Sequence, residues 1–262
     1  MIHRVLELYL RASELNGNTR ETLEWKKLKL TKFIDFIGSD TREISPEILD
    51  SFFRFIVCAD STKAGYWRAI KTFVRWASKL KRGYLNPLTD EYNPRFKPSR
   101  PRVPPPAPYI LELIESIPRK TKSQKRDYAL FKTLYHTGLR IGEAVPLRTK
   151  DVELEHCRII IYAHKTNDYR VVPVVDALEH CLLGWMGHCV DGWLFPRFNA
   201  AELGHVSCRV AQERWKEHQI RRGVEPERIL TPHDLRRAVA THARASGAMD
   251  PFDVRDLLGH KS

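Results

Sequence analysis

The stretch RIIIYAHKTNDYRVVPVV, residues 158–175, is rich in β-branched residues on both sides of a polar Lys-Thr-Asn-Asp turn. Alternation around such a turn predicts a β-hairpin. Pro173, with no N–H to give to a ladder, puts the second strand at a sheet edge. The surroundings read as helix. SQKRDYALFKTLYHTG (123–138) has Leu130 and Leu134 on its apolar side and Gly138 as its stop signal. RIGEAVPL (140–147) reads as a short helix after a tight turn, and residues 176–225 as helical with a less regular Pro/Phe segment near 193–198. A small sheet among helices makes this half of the chain mixed α/β.

Further toward the N-terminus lies EYNPRFKPSRPRVPPPAP (91–108), whose prolines exclude a regular helix or a central strand. It marks a boundary between a domain at 1–94 and one at 109–262, joined by a basic linker at 95–108 that carries Arg95, Lys97, Arg100 and Arg102. The first domain reads as helices. In NTRETLEWKKLKLTKFIDFIG (18–38), Asn18 or Thr19 caps the start, Leu23, Leu30, Phe33, Ile34 and Ile37 form one face, and Gly38 ends it. Ser45 and Pro46 open a second helix. A third, STKAGYWRAIKTFVRWASKL (61–80), turns Tyr66, Ile70, Phe73, Val74 and Leu80 inward and carries Lys63, Arg68, Lys71 and Arg75 on or near the other face. Such a face is most often merely solvated.

Composition bears on the partner class, although a basic balance also serves simply to keep a chain in solution. Forty-four Lys and Arg against 32 Asp and Glu give a net charge of +12, which favours a polyanion, because lysines and arginines placed on phosphates release condensed counterions. No run approaches the ~18 apolar residues of a membrane span. The N-terminal stretch carries charges inside its apolar run, unlike a signal peptide. Five cysteines match no disulfide framework, and His188-Cys189 and His205-Val-Ser-Cys208 have no second pair at zinc-site spacing. Ordinary thiols in a reducing cytosol are the expectation.

Two helix starts near the C-terminus are well marked. In TPHDLRRAVATHARASG (231–247), Thr231 is the N-cap, Pro232 stands at the first helical position and Asp234 closes a near capping box. His233 and Arg236 are three apart, on one side of a turn whose amides and dipole already favour an anion. In DPFDVRDLLGH (250–260), Asp250 caps, Pro251 starts, Val254, Leu257 and Leu258 face inward, and Gly259 ends the helix just before His260. Arg140, after the Gly138 turn, has Glu143 as an i,i+3 partner. Singly, each of these has an ordinary structural explanation.

Taken in order, HTGLRIGEA with Arg140, the hairpin Lys165, HDLRR with His233 and Arg236, and LLGHKS with His260 resemble the tyrosine recombinase (phage integrase) family. The resemblance covers the whole chain. It implies a mainly α, α+β protein: a helical, SAM-like core-binding domain followed by a mixed α/β catalytic domain with a small sheet. It further implies site-specific recombination or integration of DNA on inverted-repeat core sites by a homotetramer in the cytoplasm, at the nucleoid. Arg140, Lys165, His233, Arg236 and His260 would be catalytic and Glu143 supporting, with no cofactor and no metal. Lys63, Arg68, Lys71, Arg75 and the four linker cations would contact DNA.

One departure stands out. The family carries its tyrosine nucleophile on a helix shortly after the LGH segment, whereas the nine tyrosines here all precede residue 170. Tyr162 and Tyr169, flanking the hairpin, are expected to pack or touch the DNA backbone. The expectation is therefore a chain that binds DNA but forms no covalent adduct. Truncation of an active enzyme accounts for the five intact catalytic positions; an interrupted gene or a non-catalytic DNA-binding regulator or decoy is the alternative. A type IB topoisomerase shares the same residue set.

Overall fold

A computed structural model of the chain describes residues 2–38, 44–80, 92–98, 103–163, 168–190, 192–198, 203–247 and 250–259. It divides into two compact units, Met1–Pro101 and Arg102–Ser262, each with its own hydrophobic core.

The first unit is helical: α1 Ile2–Leu15, α2 Arg20–Ile37, α3 Pro46–Phe55 and α4 Asp60–Ser78. Local signals set its boundaries. The Thr19 side chain accepts from the Thr22 N–H at the start of α2, and Ser45 does the same for Ile48 at the start of α3. Its core is aromatic, with Phe33 and Phe52 meeting edge to face at 5.0 Å. Phe96, from the proline-rich stretch, packs on Phe53, and Tyr92 on Trp67. Those residues therefore extend the first unit's core. On α4, Arg68 and Arg75 are exposed and Lys63 and Lys71 half-buried, away from the buried Tyr66, Ile70, Phe73 and Val74. Arg95 and Lys97 are exposed; Arg100 and Arg102 lie outside the described residues.

The second unit carries α5 Ala107–Glu115, α6 Lys122–Thr137, α7 Ile141–Ala144, α8 Asp176–Met186, α9 Cys208–Arg221, α10 Pro232–Ala245 and α11 Pro251–Leu258. Its sheet has three antiparallel strands in the order β1 Val152–Glu153, β2 Arg158–Ala163, β3 Asp168–Pro173. The hairpin reading holds: β2 pairs with β3, Ile159 opposite Val172 and Ile161 opposite Arg170, and β3 is an edge. Period-2 alternation puts Ile159, Ile161 and Val172, all fully buried, on the core face. Arg170 shares that face. Tyr162 and Tyr169 pair across the other one, rings 5.0 Å apart.

Helix α6 runs through the middle of this unit, with Leu130, Phe131 and Leu134 buried and Phe131 stacked on Trp215 of α9 at 4.6 Å. Burying each such side chain stabilises the fold by roughly 1.5–3 kcal/mol. A Thr121–Gln124 capping box starts α6. Gly138, at φ 64°, stops it in the left-handed conformation that a Cβ would disfavour. That turn redirects the chain so that Arg140 stands at the N-cap of α7. Helix α10 packs against α6, and its Leu235 and Ala238 are fully buried in the unit's core.

Candidate active site

Three elements converge on one carboxylate. Glu143, in α7, is 11% exposed and accepts hydrogen bonds on both oxygens. Arg140 donates through its backbone N–H to Oε2 and through Nη1 to Oε1, each at 2.9 Å. Arg170, from β3, donates through Nη1 to Oε1 at 3.1 Å and through Nη2 to Oε2 at 2.8 Å. Arg236, from α10, places Nη1 3.9 Å from Oε2 and donates it to the Gly138 carbonyl at 2.6 Å. The turn that stops α6 thus also holds the arginine brought by α10.

The electrostatics follow from this crowding. Burial alone would raise the Glu143 pKa, but the bonds from Arg170 and Arg140 hold it down at about 2. Arg236 is 3% exposed. Burial first, then the neighbouring Arg140 charge, lower its pKa to about 10, with Glu143 acting against them. One carboxylate faces three guanidinium groups among the described residues, a local surplus of two positive charges. Arg140 keeps 44% of its side chain exposed, so the surplus reaches solvent. Such a site suits an oxyanion with several acceptor atoms.

The structure thus brings together Arg140, Glu143 and Arg236 of the residues picked from sequence. His233 lies one turn before Arg236 in α10, but the two differ: His233 is exposed while Arg236 turns inward. The Thr231–Asp234 capping box forms in full: Asp234 N–H donates to Thr231 Oγ1, and the Thr231 N–H to Asp234 Oδ2. Lys165 and His260 lie outside the described residues. Arg170 was missed. Its signal was in the alternation of β3, where a charged residue stands at an inward position and therefore requires a partner.

The phage integrase family matches residues 109–262. The chain belongs to this family. Its tyrosine recombinase relatives include the recombinase XerC of Pelotomaculum thermopropionicum, 30% identical over 97% of this chain and 87% of that protein. XerD of Yersinia pestis is 30% identical over 98% and 88%. XerD of Bradyrhizobium diazoefficiens is 32% identical over a shorter stretch, 58% of this chain and half of that protein. Two solved structures share the fold. XerH recombinase bound to its difH substrate aligns at a TM-score of 0.72 and 22% identity, over 92% of this chain and 73% of that one. A λ integrase tetramer bound to a Holliday junction aligns at 0.77 and 16%, over 100% and 77%. The tyrosine recombinases are enzymes of DNA strand cleavage and rejoining, and this chain is one of their family.

Proposed function

We propose that this recombinase holds one DNA phosphate between Arg140 and Arg236, at the point where a strand is cut and rejoined through a 3′-phosphotyrosine. The observation that carries the reading is the surplus of guanidinium groups over the single carboxylate Glu143, open to solvent on the Arg140 side. Attack on a phosphodiester builds negative charge on its non-bridging oxygens. Two rigid forks of donors, fixed before the DNA arrives, stabilise that charge without reorganising. Glu143 orients both.

The remaining roles follow the order of the motifs. Lys165 protonates the leaving 5′ oxygen. His233 exchanges a proton with the nucleophile, and His260 gives the phosphate a further donor. The nine tyrosines of the sequence all precede the HDLRR motif, whereas the family carries its nucleophile after the LGH segment. The bond energy stays in the phosphotyrosine link, so the exchange needs no energy cofactor. Lys63, Arg68, Lys71 and Arg75 of α4, with Arg95, Lys97, Arg100 and Arg102, contact backbone phosphates. The substrate is double-stranded DNA with inverted-repeat core sites, bound by a homotetramer at the nucleoid, in integration or excision of a mobile element or in resolution of replicons.

Titration against duplex DNA at increasing salt tests this reading. Affinity is expected to fall about a thousandfold between roughly 50 and 200 mM salt, as for six or more phosphate contacts. Arg236→Ala should bind more weakly with a shallower slope. A flat salt response, or an Arg236→Ala chain with unchanged affinity and slope, would sink it.

A further inference from the structure

Arg170 stands outside the set that motif order selects, yet it makes the most complete contact with the site's carboxylate. Its two parallel bonds, 3.1 and 2.8 Å, span both oxygens of Glu143. Arg140 offers one side-chain bond, and Arg236 comes no closer than 3.9 Å. A bidentate fork fixes the plane of a carboxylate as well as its position. Arg170 is therefore the side chain that holds both oxygens of Glu143, and with the Arg140 bonds it sets which way the carboxylate faces.

Two further observations bear on its role. The Arg170 side chain is 13% exposed, and its Nε is buried with no hydrogen-bond partner among the described residues. An unmet buried donor costs about 1–3 kcal/mol, and apolar residues often replace a buried ion pair with no loss of stability. Stability alone does not account for an arginine here. The other observation comes from Gly259, which ends α11 at φ 62°. A Cβ on it would lie 2.8 Å from Arg170 Nη1 and 3.2 Å from its Cζ. The last turn of α11 thus rests on the guanidinium, and only a residue without a side chain lets it.

We propose that Arg170 is a positioning residue for the phosphate site, joining β3, Glu143 and the end of α11 so that Arg140 and Arg236 keep their places. This rests on the reading that those two arginines hold a DNA phosphate. Without the fork, an under-satisfied Glu143 draws Arg236 across the 3.9 Å gap into a direct pair, and so away from the phosphate. Lysine keeps the charge at position 170 but cannot span two oxygens.

The test uses a duplex selected from random sequence by the wild-type chain, then remade with one uncharged methylphosphonate at each position in turn. Wild type, Arg170→Lys and Arg236→Ala are titrated against the set, each below its melting temperature. The wild type should lose about tenfold at the clamped phosphate, a loss in the range of one coupled charge contact. Arg170→Lys should still bind the unmodified duplex, yet show less than about a twofold loss at that position, as should Arg236→Ala. A chain that is only less stable would weaken on every duplex alike and keep the wild-type ratio, which would overturn the proposal. If Arg236→Ala loses the sensitivity and Arg170→Lys keeps it, the positioning role alone is wrong. If Arg236→Ala keeps it too, the phosphate reading fails and takes the proposal with it.

Discussion

Asp127 and Glu143 are both carboxylates of the second unit with more than one arginine at hand, and their proton affinities move in opposite directions. Arg126, 2% exposed, gives Nε and Nη2 to the same oxygen of Asp127, at 3.0 and 2.6 Å, and Nη1 to the Pro196 carbonyl at 3.1 Å. Arg214 reaches the other oxygen only at 3.5 Å. Burial outweighs these partners, and the Asp127 pKa is raised. Glu143 takes strong bonds on both oxygens and is held at about 2. The first cluster is closed around Arg126, whose donors go to Asp127 and to a neighbouring segment of backbone, and this pair braces the fold while Arg214 stands 40% exposed at its rim. The second carries more positive charge than its carboxylate can balance. Burial makes an arginine structural when its charge is matched, and leaves it available to an outside anion when it is not.

Breaking the closed cluster should have the largest effect. Asp127→Ala removes the oxygen that takes both Nε and Nη2 of the buried Arg126 and should cost about 3–5 kcal/mol of unfolding free energy, measured by urea denaturation. The salt slope of DNA binding should be unchanged for the fraction that remains folded. A loss under about 1 kcal/mol would show that the pair is not a brace.

The open cluster should show itself in acid. Because the Glu143 pKa lies below the ordinary 4.5, its stabilisation is present above that value and lost as pH falls from 4.5 to about 2. The amount is about 2 kcal/mol once solvent screening is allowed for. Asp127, shifted upward from 3.8, contributes the reverse slope above 3.8, between that value and its raised pKa. Glu143→Gln should therefore flatten the acid limb of the stability profile, while Asp127→Asn should steepen it. Equal slopes in the two variants would erase the distinction between the clusters.

The smallest effect separates helix start from arginine cluster. Thr231→Ala removes the N-cap of α10 and should cost about 1 kcal/mol, read as a lower melting temperature. The methylphosphonate ratio should not change, since Thr231 touches none of the arginines around Glu143 through any bond described above. A changed ratio would mean that the cap positions Arg236.

Much of this was readable in the sequence because its signals are local. Thr231, Pro232 and Asp234 specify a helix start with their own side chains, Gly138 specifies a stop, and the Arg140–Glu143 pair needs only i,i+3 spacing. Strand alternation marked the hairpin, and Pro173 marked its edge. Contacts fixed by distant packing were not readable. The two-residue β1 is too short to leave a pattern, and the packing of Tyr92 and Phe96 on the first core is invisible within a proline-rich stretch. Arg170 falls between these cases: its inward parity is local information, but its partner lies 27 residues away. Lys165 and His260, expected from motif order, lie outside the described residues.

The register of the hairpin also limits how this lineage can drift. Ile159 opposite Val172 locks β3 against β2, and Arg170 shares the core face with Val172. A single-residue insertion or deletion between Val172 and the Arg170 position would rotate every side chain beyond it to the opposite face, carrying the arginine out to solvent and away from Glu143. Related genes should therefore keep the spacing of the three residues from Arg170 to Val172.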